Sequence, residues 1–213
     1  AHELRTPLAT LQGYMEAMID GVWETDTDRL RSCHEEIMRL NRLVGDLEKL
    51  AKYENENLTL NKTEFNFGEL IEKIIQNFEN ELRSKNIDFS LNTNEQKLFA
   101  DKDKISQMVI NLVSNAIKYT PNGGKISINL IGDGDGVELS IIDSGIGIAE
   151  EDLPHIFERF YRADKSRNRS TGGAGIGLTI TKAIVEAHGG RIEVESEYNR
   201  GSKFKIFLPK RLI

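Results

Sequence analysis

The sequence predicts a helical hairpin followed by a two-layer α/β sandwich. Apolar residues among the first 57 positions recur with the 3-4 spacing of helices that pack along one seam. From Leu58 onward, segments with a helical period alternate with segments that have the period of a strand. Charge also differs, because residues 1–57 contain seven Lys or Arg and twelve Asp or Glu in a chain whose net charge is −6. We therefore predict two domains, 1–57 and 58–213.

The overall composition excludes several classes of protein. Charged residues make up 29% and hydrophobic residues 38% of the 213 residues, which is typical of a globular protein with its own core. The net charge of −6 argues against a nucleic-acid partner, and the single cysteine, Cys33, cannot form a disulfide within the chain. No segment reaches the roughly 18 apolar residues of a membrane span. Since the chain begins at Ala1 rather than Met, we expect a piece of a longer protein, so that any membrane anchor would lie upstream.

Two helices form the predicted hairpin. The first has its seam at Leu4, Leu8, Leu11, Met15, Met18 and Val22, and the second at Leu30, Cys33, Ile37, Leu40, Val44, Leu47 and Ala51. Asp26 or Thr27 is suited to begin the second helix as its N-cap. Because a hairpin alone exposes part of this seam, we expect two chains to pair into a dimeric four-helix bundle.

The start of the first helix allows two interpretations. Thr6 could be the N-cap with Pro7 as the first helical residue, which would leave His2 and Glu3 at a frayed end. Alternatively, the helix continues through Pro7, which frees the carbonyl of Glu3 and bends the helix beside His2.

The second domain is predicted to contain three helices and five to seven strands. An amphipathic helix spans Thr63 to Asn86, a second helix runs from about Asp101 to Tyr119, and a third runs from Ile176 to His188. Strands are predicted at residues 87–91, 97–100, 125–131, 137–143, 191–196 and 203–208. The connection 144–175 is longer than a compact domain normally contains without a functional reason.

Polar residues on the second of these helices form a candidate ligand-binding face. Asn111 and Asn115 are four residues apart and share a face, with Lys118 and Tyr119 beside it. Neutral amide oxygens suit a Mg²⁺ that takes its other ligands from water and nucleotide phosphates, and Lys118 could then meet a phosphate. The alternative is a solvated helix face without a function.

A second candidate follows a predicted strand, at Asp143-Ser144-Gly145-Ile146-Gly147. A carboxylate at the end of a strand can accept a hydrogen bond from an exocyclic amine, such as that of adenine. Gly145 and Gly147 would permit close approach of the backbone. The alternative is a polar turn that only closes the strand.

Glycines also open the last predicted helix. Gly173, Gly175 and Gly177 precede Leu178, so free N–H groups and the positive end of the helix dipole are available to a phosphate. The pattern is neither a P-loop nor a dinucleotide-binding fingerprint, and a flexible linker is the alternative. Just upstream, a cationic lid over phosphates is suggested by an excess of basic residues: Arg159, Arg162, Lys165, Arg167 and Arg169 against the single acid Asp164.

Five segments in this order resemble the sequence boxes of sensor histidine kinases: 2–8 (HELRTPL), 111–119, 143–147, 157–162 (FERFYR) and 173–178. The resemblance spans essentially the whole chain. It implies that the hairpin is a dimerisation and histidine-phosphotransfer domain, and that the sandwich is the Bergerat or GHKL-type ATP-binding fold shared with gyrase, Hsp90 and MutL. It also implies ATP and Mg²⁺ as cofactors, and a location in the cytoplasmic portion of a membrane-anchored bacterial sensor.

The resemblance also implies roles for single residues. His2 would accept the γ-phosphoryl group of ATP, Glu3 would take up the ring proton, and Thr6 would orient water during dephosphorylation of the partner. The implied ATP-site roles are magnesium binding by Asn115 and Asn111, phosphate contacts by Lys118 and Arg162, packing by Tyr119, adenine binding by Asp143 and Gly145-Ile146-Gly147, and a lid containing Lys165, Gly173, Gly175, Gly177 and Leu178.

We therefore expect an ATP-dependent protein-histidine kinase that phosphorylates His2 and passes the phosphoryl group to an aspartate of a response regulator receiver domain. Phosphatase activity toward the regulator is also expected. One alternative is an ATP hydrolase or nucleotide-dependent clamp, but such relatives place a water-activating Glu on the helix that here has Asn111 and Asn115. A nonenzymatic dimeric scaffold is the other alternative.

Overall fold

The computed structural model describes residues 2–54, 60–132, 134–161 and 175–210. The chain divides into two compact units, Ala1–Lys52 and Tyr53–Ile213. Within the described part of the chain, no helix combines the length and apolarity needed to cross a membrane.

The first unit consists of helix α1 at His2–Ile19 and all but the last two residues of helix α2, which spans Thr27–Glu54. Helix α1 continues through Pro7, so the interpretation of Thr6 as an N-cap is wrong. Since proline has no N–H group, the carbonyl of Glu3 has no i+4 backbone donor there. Asp26 is the N-cap of α2, as expected, because its Oδ1 accepts a hydrogen bond of 2.8 Å from the backbone N–H of Arg29.

The heptad seam of the first unit is largely open to solvent. The exposed seam residues among those described are Leu8 (57%), Met15 (46%), Val22 (73%), Leu30 (51%), Ile37 (43%) and Val44 (44%). Cys33 is buried, at 5% exposure. Such a long apolar stripe is much larger than the scattered apolar residues of an ordinary monomer surface.

The second unit is a sandwich of a five-stranded sheet and a layer of helices. Its helices are α3 at Phe67–Gln76, α4 at Glu79–Ser84, α5 at Lys102–Tyr119 and α6 at Gly177–Ala187. Its strands are β1 at Lys62–Asn66, β2 at Asp88–Asn92, β3 at Lys97–Asp101, β4 at Lys125–Gly132, β5 at Gly136–Asp143, β6 at Arg191–Glu197 and β7 at Gly201–Pro209. The main sheet has the order β2-β4-β5-β7-β6, in which only β2 and β4 are parallel, while β1 and β3 form a separate antiparallel pair. The predicted two-layer α/β architecture is confirmed.

Alternation along the strands explains why one sheet face is covered by helices. In β4, Ile126, Ile128 and Leu130 are buried, and the residues between them are at least partly exposed. Helix α5 presents a buried stripe to the same core, with Ile105, Met108 and Val109 fully buried. The helices α5 and α6 also pack against each other, and this contact positions the candidate site.

The prediction of one helix from Thr63 to Asn86 is wrong. Residues Lys62–Asn66 form β1, in which Thr63 pairs with Ala100 of β3. Helix α3 begins after Asn66, whose side chain accepts a hydrogen bond from the backbone N–H of Glu69. The apolar residues that follow Asn66 do have a helical period, but those before it take part in a long-range strand pairing that has no local sequence signature.

Candidate functional site

Helix α5 is fixed at both ends. At its start, Oδ1 of Asp101 accepts a hydrogen bond of 3.1 Å from the backbone N–H of Lys104, and the backbone N–H of Asp101 donates to Nε2 of His188 at 3.0 Å. At its end, the ammonium of Lys85 donates to the carbonyl oxygens of Ile117 at 2.6 Å and Thr120 at 2.9 Å. These hydrogen bonds hold the backbone of α5 in place and so fix the positions from which its side chains extend.

The two asparagines of α5 occupy different environments. Asn111 is half-buried, its Oδ1 accepts from Nε2 of Gln107 at 2.9 Å, and its Nδ2 donates to the carbonyl of Gly177 at 3.1 Å. Asn115, one turn later, is half-buried, and its side chain makes no hydrogen bond with any described residue. The amide oxygen of Asn115 is thus available to a ligand, whereas Asn111 joins α5 to the start of α6.

The end of α5 presents a cation and an aromatic ring. Tyr119 is 44% exposed, and Nζ of Lys118 lies 4.8 Å from the centroid of its ring. The carbonyl of Tyr119 accepts a hydrogen bond of 3.2 Å from the backbone N–H of Ile146. This contact brings the end of α5 against the segment that follows β5.

Asp143 is a buried carboxylate at the end of β5, with 8% of its surface exposed. Its Oδ1 accepts a hydrogen bond of 2.8 Å from the backbone N–H of Gly145. Burial raises the pKa of Asp143, and backbone hydrogen bonds from Gly145 and Ser202 partly offset this rise. A buried carboxylate has lost hydrogen bonds to water. An amine group of a ligand can donate hydrogen bonds in their place, so Asp143 is suited to bind such a group.

Close contacts explain why residue 145, two positions after Asp143, is a glycine. A Cβ atom on Gly145 would lie 2.6 Å from both Oδ1 of Asp143 and the carbonyl oxygen of Tyr119. Only glycine therefore allows this segment to pass between the carboxylate and α5. Gly147 lies against the carbonyl of Glu197, and Ile148 is fixed by a hydrogen bond of 2.8 Å from its N–H to the hydroxyl of Ser196.

The start of α6 lies beside the segment Ala149–Tyr161. Oγ1 of Thr179 donates to the carbonyl of Phe157 at 3.0 Å. Gly175 has a φ of +73°, and a Cβ atom there would lie 2.8 Å from the carbonyl oxygen of Tyr161. Helix α6 begins at Gly177 without a side-chain cap, so its first N–H groups are available to an anion, and Leu178 is half-buried in its first turn.

The structure brings together most of the residues predicted from sequence for the ATP site. Asn111 contacts Gly177, Tyr119 contacts Gly145, and Gly145 contacts Asp143. Arg162, Lys165 and Gly173 lie outside the described residues. His2, Glu3 and Thr6 lie in the first two turns of α1, in the other unit.

Several residues that support the site were missed by the sequence analysis. Gln107 lies four residues before Asn111, and this helical spacing could have identified it. Lys85, Thr179 and Ser196 act through contacts between distant parts of the chain, and no local pattern marks them.

The side chains at this site fit a magnesium ion that is held mainly by a nucleotide. Among the described residues, no group of three or more His, Cys, Asp or Glu could hold a metal ion. The unpartnered amide oxygen of Asn115 is the type of hard, neutral ligand that Mg²⁺ accepts when phosphates and water complete its shell.

Two family models match the chain. Residues 1–56 match the His Kinase A (phospho-acceptor) domain, and residues 100–212 match the histidine kinase-, DNA gyrase B-, and HSP90-like ATPase. A phospho-acceptor hairpin joined to an ATPase-type sandwich defines the class of two-component sensor kinases. The chain belongs to the sensor histidine kinase family.

Individual relatives agree with this assignment. The chain is 38% identical to the sensor histidine kinase WalK of Bacillus subtilis, over 98% of this chain and 35% of WalK. It thus spans about a third of the length of the curated relatives that it matches. Among solved structures, the Acinetobacter baumannii histidine kinase AdeS is 33% identical with a TM-score of 0.79, covering 100% of this chain and 99% of AdeS. The histidine kinase ThkA, solved in complex with the response regulator protein TrrA, is 32% identical with a TM-score of 0.79, covering 99% of this chain and 60% of ThkA.

Proposed function

We propose that this chain is the catalytic core of an ATP-dependent protein-histidine kinase, which phosphorylates His2 and relays the phosphoryl group to an aspartate of a response regulator. The observation that supports it most is the arrangement around α5: a buried carboxylate at one end, an unpartnered amide at Asn115, and the uncapped start of α6 beside Asn111. These are an adenine acceptor, a magnesium ligand and a phosphate site in one domain.

The base would bind against Asp143. The carboxylate accepts the exocyclic amine of adenine, and Gly145 and Gly147 allow the ring to approach the backbone. Tyr119 provides an exposed aromatic surface at the end of α5 for packing near the nucleotide.

The phosphates would extend from there toward α6. The N–H groups at Gly175, Gly177 and Leu178 and the ammonium of Lys118 neutralise phosphate charge. Arg162, Lys165 and Gly173 are proposed to complete this side. Asn115, with Asn111 beside it, would hold Mg²⁺, which when bound withdraws charge from the phosphate oxygens.

The transfer itself is an in-line displacement. A ring nitrogen of His2 forms a bond to the γ-phosphorus while the bond from that phosphorus to the bridging oxygen breaks, and ADP leaves. Glu3 takes up the ring proton. The resulting phosphoramidate then donates its phosphoryl group to the regulator's aspartate, and Thr6 orients water when the same bundle dephosphorylates the regulator.

Assembly and location form part of the same proposal. The open seam of the first unit would pair with a second copy to form a four-helix bundle. The domain boundary would lie between residues 57 and 58. The whole protein would be a membrane-anchored sensor of which this chain is the cytoplasmic portion.

The decisive experiment is labelling from ATP that carries an isotope on its γ-phosphate. The unaltered chain with MgCl₂ should acquire acid-labile, base-stable label, and His2→Gln should acquire none while still binding ATP. His34→Gln, which changes an exposed histidine on α2, is the matched control and should label normally.

Two results would contradict the proposal. Label that survives in His2→Gln would remove His2 from the acceptor role. Steady release of inorganic phosphate without any phosphorylated intermediate would instead favour the ATP hydrolase or clamp.

A further inference from the structure

The segment Ala149–Tyr161 connects the two halves of the nucleotide site. At its start, Ile148 is fixed to the hydroxyl of Ser196, next to Gly147 on the side of Asp143. At its end, Tyr161 lies against Gly175, two residues before α6 begins on the side of the phosphates. Any change in the conformation of this segment would therefore alter the distance between the base side and the phosphate side.

One hydrogen bond between side chains links a residue near the start of this segment to its last residue. The hydroxyl of Tyr161 donates a hydrogen bond of 2.5 Å to Oδ1 of Asp152. This hydrogen bond is the largest of the causes that raise the pKa of Tyr161 to about 12. The ring of His155 packs beside that of Tyr161, with centroids 5.4 Å apart.

The backbone conformation next to Tyr161 requires a stabilising contact. Phe160 has a φ of +62°, a left-handed conformation that side chains other than glycine adopt at a cost. The backbone N–H of Tyr161 makes only a long hydrogen bond of 3.3 Å to the carbonyl of Glu158. Among the described contacts of residues 149–161, the hydrogen bond from Tyr161 to Asp152 is the shortest.

The position of Tyr161 is transmitted to the start of α6 by direct contact. Its carbonyl oxygen lies where a Cβ atom on Gly175 would be only 2.8 Å away. Two residues later, the carbonyl of Gly177 accepts the hydrogen bond from Asn111 on α5. A shift of Tyr161 would thus move the backbone that is proposed to bind phosphate, and would leave Asp143 in place.

We propose that Asp152 and Tyr161 form a positioning pair that holds Gly175 and Gly177, the phosphate side of the nucleotide site, in register with the base side. This inference rests on the proposed function, because it assumes that ATP binds between these two sides. Neither residue is required to touch the nucleotide.

The test compares the binding of ATP with that of adenosine, which lacks phosphates. Dissociation constants would be measured by calorimetry on the full chain with MgCl₂ for Tyr161→Phe, Asp152→Ala and Asp152→Asn. Tyr161→Phe and Asp152→Ala should each weaken ATP binding about three- to tenfold, the effect of losing one typical hydrogen bond, and leave adenosine binding unchanged. Asp152→Asn retains an acceptor oxygen and should restore ATP binding to within about twofold.

Two further variants control for folding and specificity. The double variant Tyr161→Phe with Asp152→Ala should bind ATP no more weakly than either single variant, because both remove the same contact. Tyr198→Phe, at a tyrosine with 64% exposure, should match the unaltered chain. Melting temperatures measured alongside identify any variant that fails to fold.

The outcomes separate the pair from the function itself. If the unaltered chain binds ATP and labels His2, but Tyr161→Phe binds ATP normally or loses adenosine binding in parallel, the positioning pair is overturned and the kinase remains. If the unaltered chain does not bind ATP, the proposed function fails and the pair fails with it.

Discussion

At the scale of single residues, identical side chains differ in function because of their partners. Asn111 and Asn115 share a face of α5, yet the amide of Asn111 already joins Gln107 and Gly177. The side chain of Asn115 makes no hydrogen bond with a described residue, so its amide oxygen can bind a cation at little cost. The first is suited to positioning α6 and the second to contacting a ligand.

The buried carboxylate of Asp143 should reduce stability while it supports binding. Burial raises its pKa above the unfolded value of 3.8, so its contribution to stability is present below that value and is lost as the pH rises through the folded pKa. Asp143→Asn should therefore gain melting temperature relative to the unaltered chain between pH 4 and pH 7. ATP affinity should fall at least about tenfold, because the neutral amide oxygen of Asn is a weaker acceptor for the adenine amine than the carboxylate.

Both quantities are measurable on one preparation, by thermal unfolding at several pH values and by ATP titration. A melting temperature for Asp143→Asn that drops relative to the unaltered chain as the pH rises would contradict the assigned direction of the pKa. Retained ATP affinity would exclude the carboxylate charge of Asp143 from base recognition.

At the scale of elements, hydrogen bonds join α5 and α6 at two places. Asn111 contacts Gly177 near the start of α6, and His188 at the end of α6 contacts the N-cap residue Asp101 of α5. Nδ1 of His188 donates to the carbonyl of Ile184 at 2.8 Å, which leaves Nε2 as the acceptor for the N–H of Asp101. This arrangement requires a neutral imidazole.

Protonation of His188 should therefore loosen the contact between the two helices. Burial lowers the pKa of His188 from its ordinary value of 6.5. The nearby charge of Lys62 also lowers it, whereas the hydrogen bond to Ile184 and the charge of Asp101 raise it. Because the folded pKa lies below the unfolded one, the contribution to stability is complete above about pH 6.5 and declines as the pH falls toward the folded pKa. The slope cannot exceed about 1.4 kcal/mol per pH unit for one proton.

Urea unfolding at pH values from 5 to 8 measures this slope. His188→Gln should remove the decline that is specific to His188, although it lowers stability at neutral pH through the lost packing and hydrogen bonds. His155→Gln is the control, since His155 is exposed and its change should leave the decline intact. An unaltered slope in His188→Gln would show that another group titrates.

At the scale of the whole molecule, the two units differ in how much of their apolar surface they bury. The sandwich buries its own sheet face and helix stripes. The hairpin leaves its seam open, with Ile37 43% and Leu30 51% exposed. A second copy of the chain would cover that seam, because identical heptad stripes are complementary to one another.

Placing a charge on the seam should therefore separate the dimer without harming the sandwich. Ile37→Lys should elute as a monomer in size-exclusion chromatography with light scattering, because an unpaired ammonium in an apolar seam is strongly disfavoured. ATP binding to the sandwich should remain. Glu35→Gln, an exposed change on the same helix, should stay dimeric, and a dimeric Ile37→Lys would exclude the seam as the interface.

Local periodicity was sufficient for the large elements of this protein. The heptad predicted both helices of the hairpin, and the alternation of periods predicted α5, α6 and six of the seven strands of the second unit. Asp26, Asn111 and Asp143 could be singled out because their chemistry and their spacing from neighbouring apolar residues are both visible along the chain. These features depend on interactions within a few residues, which sequence patterns record directly.

Only the tertiary structure determined the long-range partners. Strand β1 was predicted as part of a helix, because its pairing with β3 involves residues about 35 positions apart. The same holds for Lys85 at the end of α5, for Thr179 against Phe157, and for the division of roles between Asn111 and Asn115. The physical reason is that a hydrogen bond between distant segments depends on how the whole chain packs, whereas a helix or strand period is set by the geometry of its own backbone.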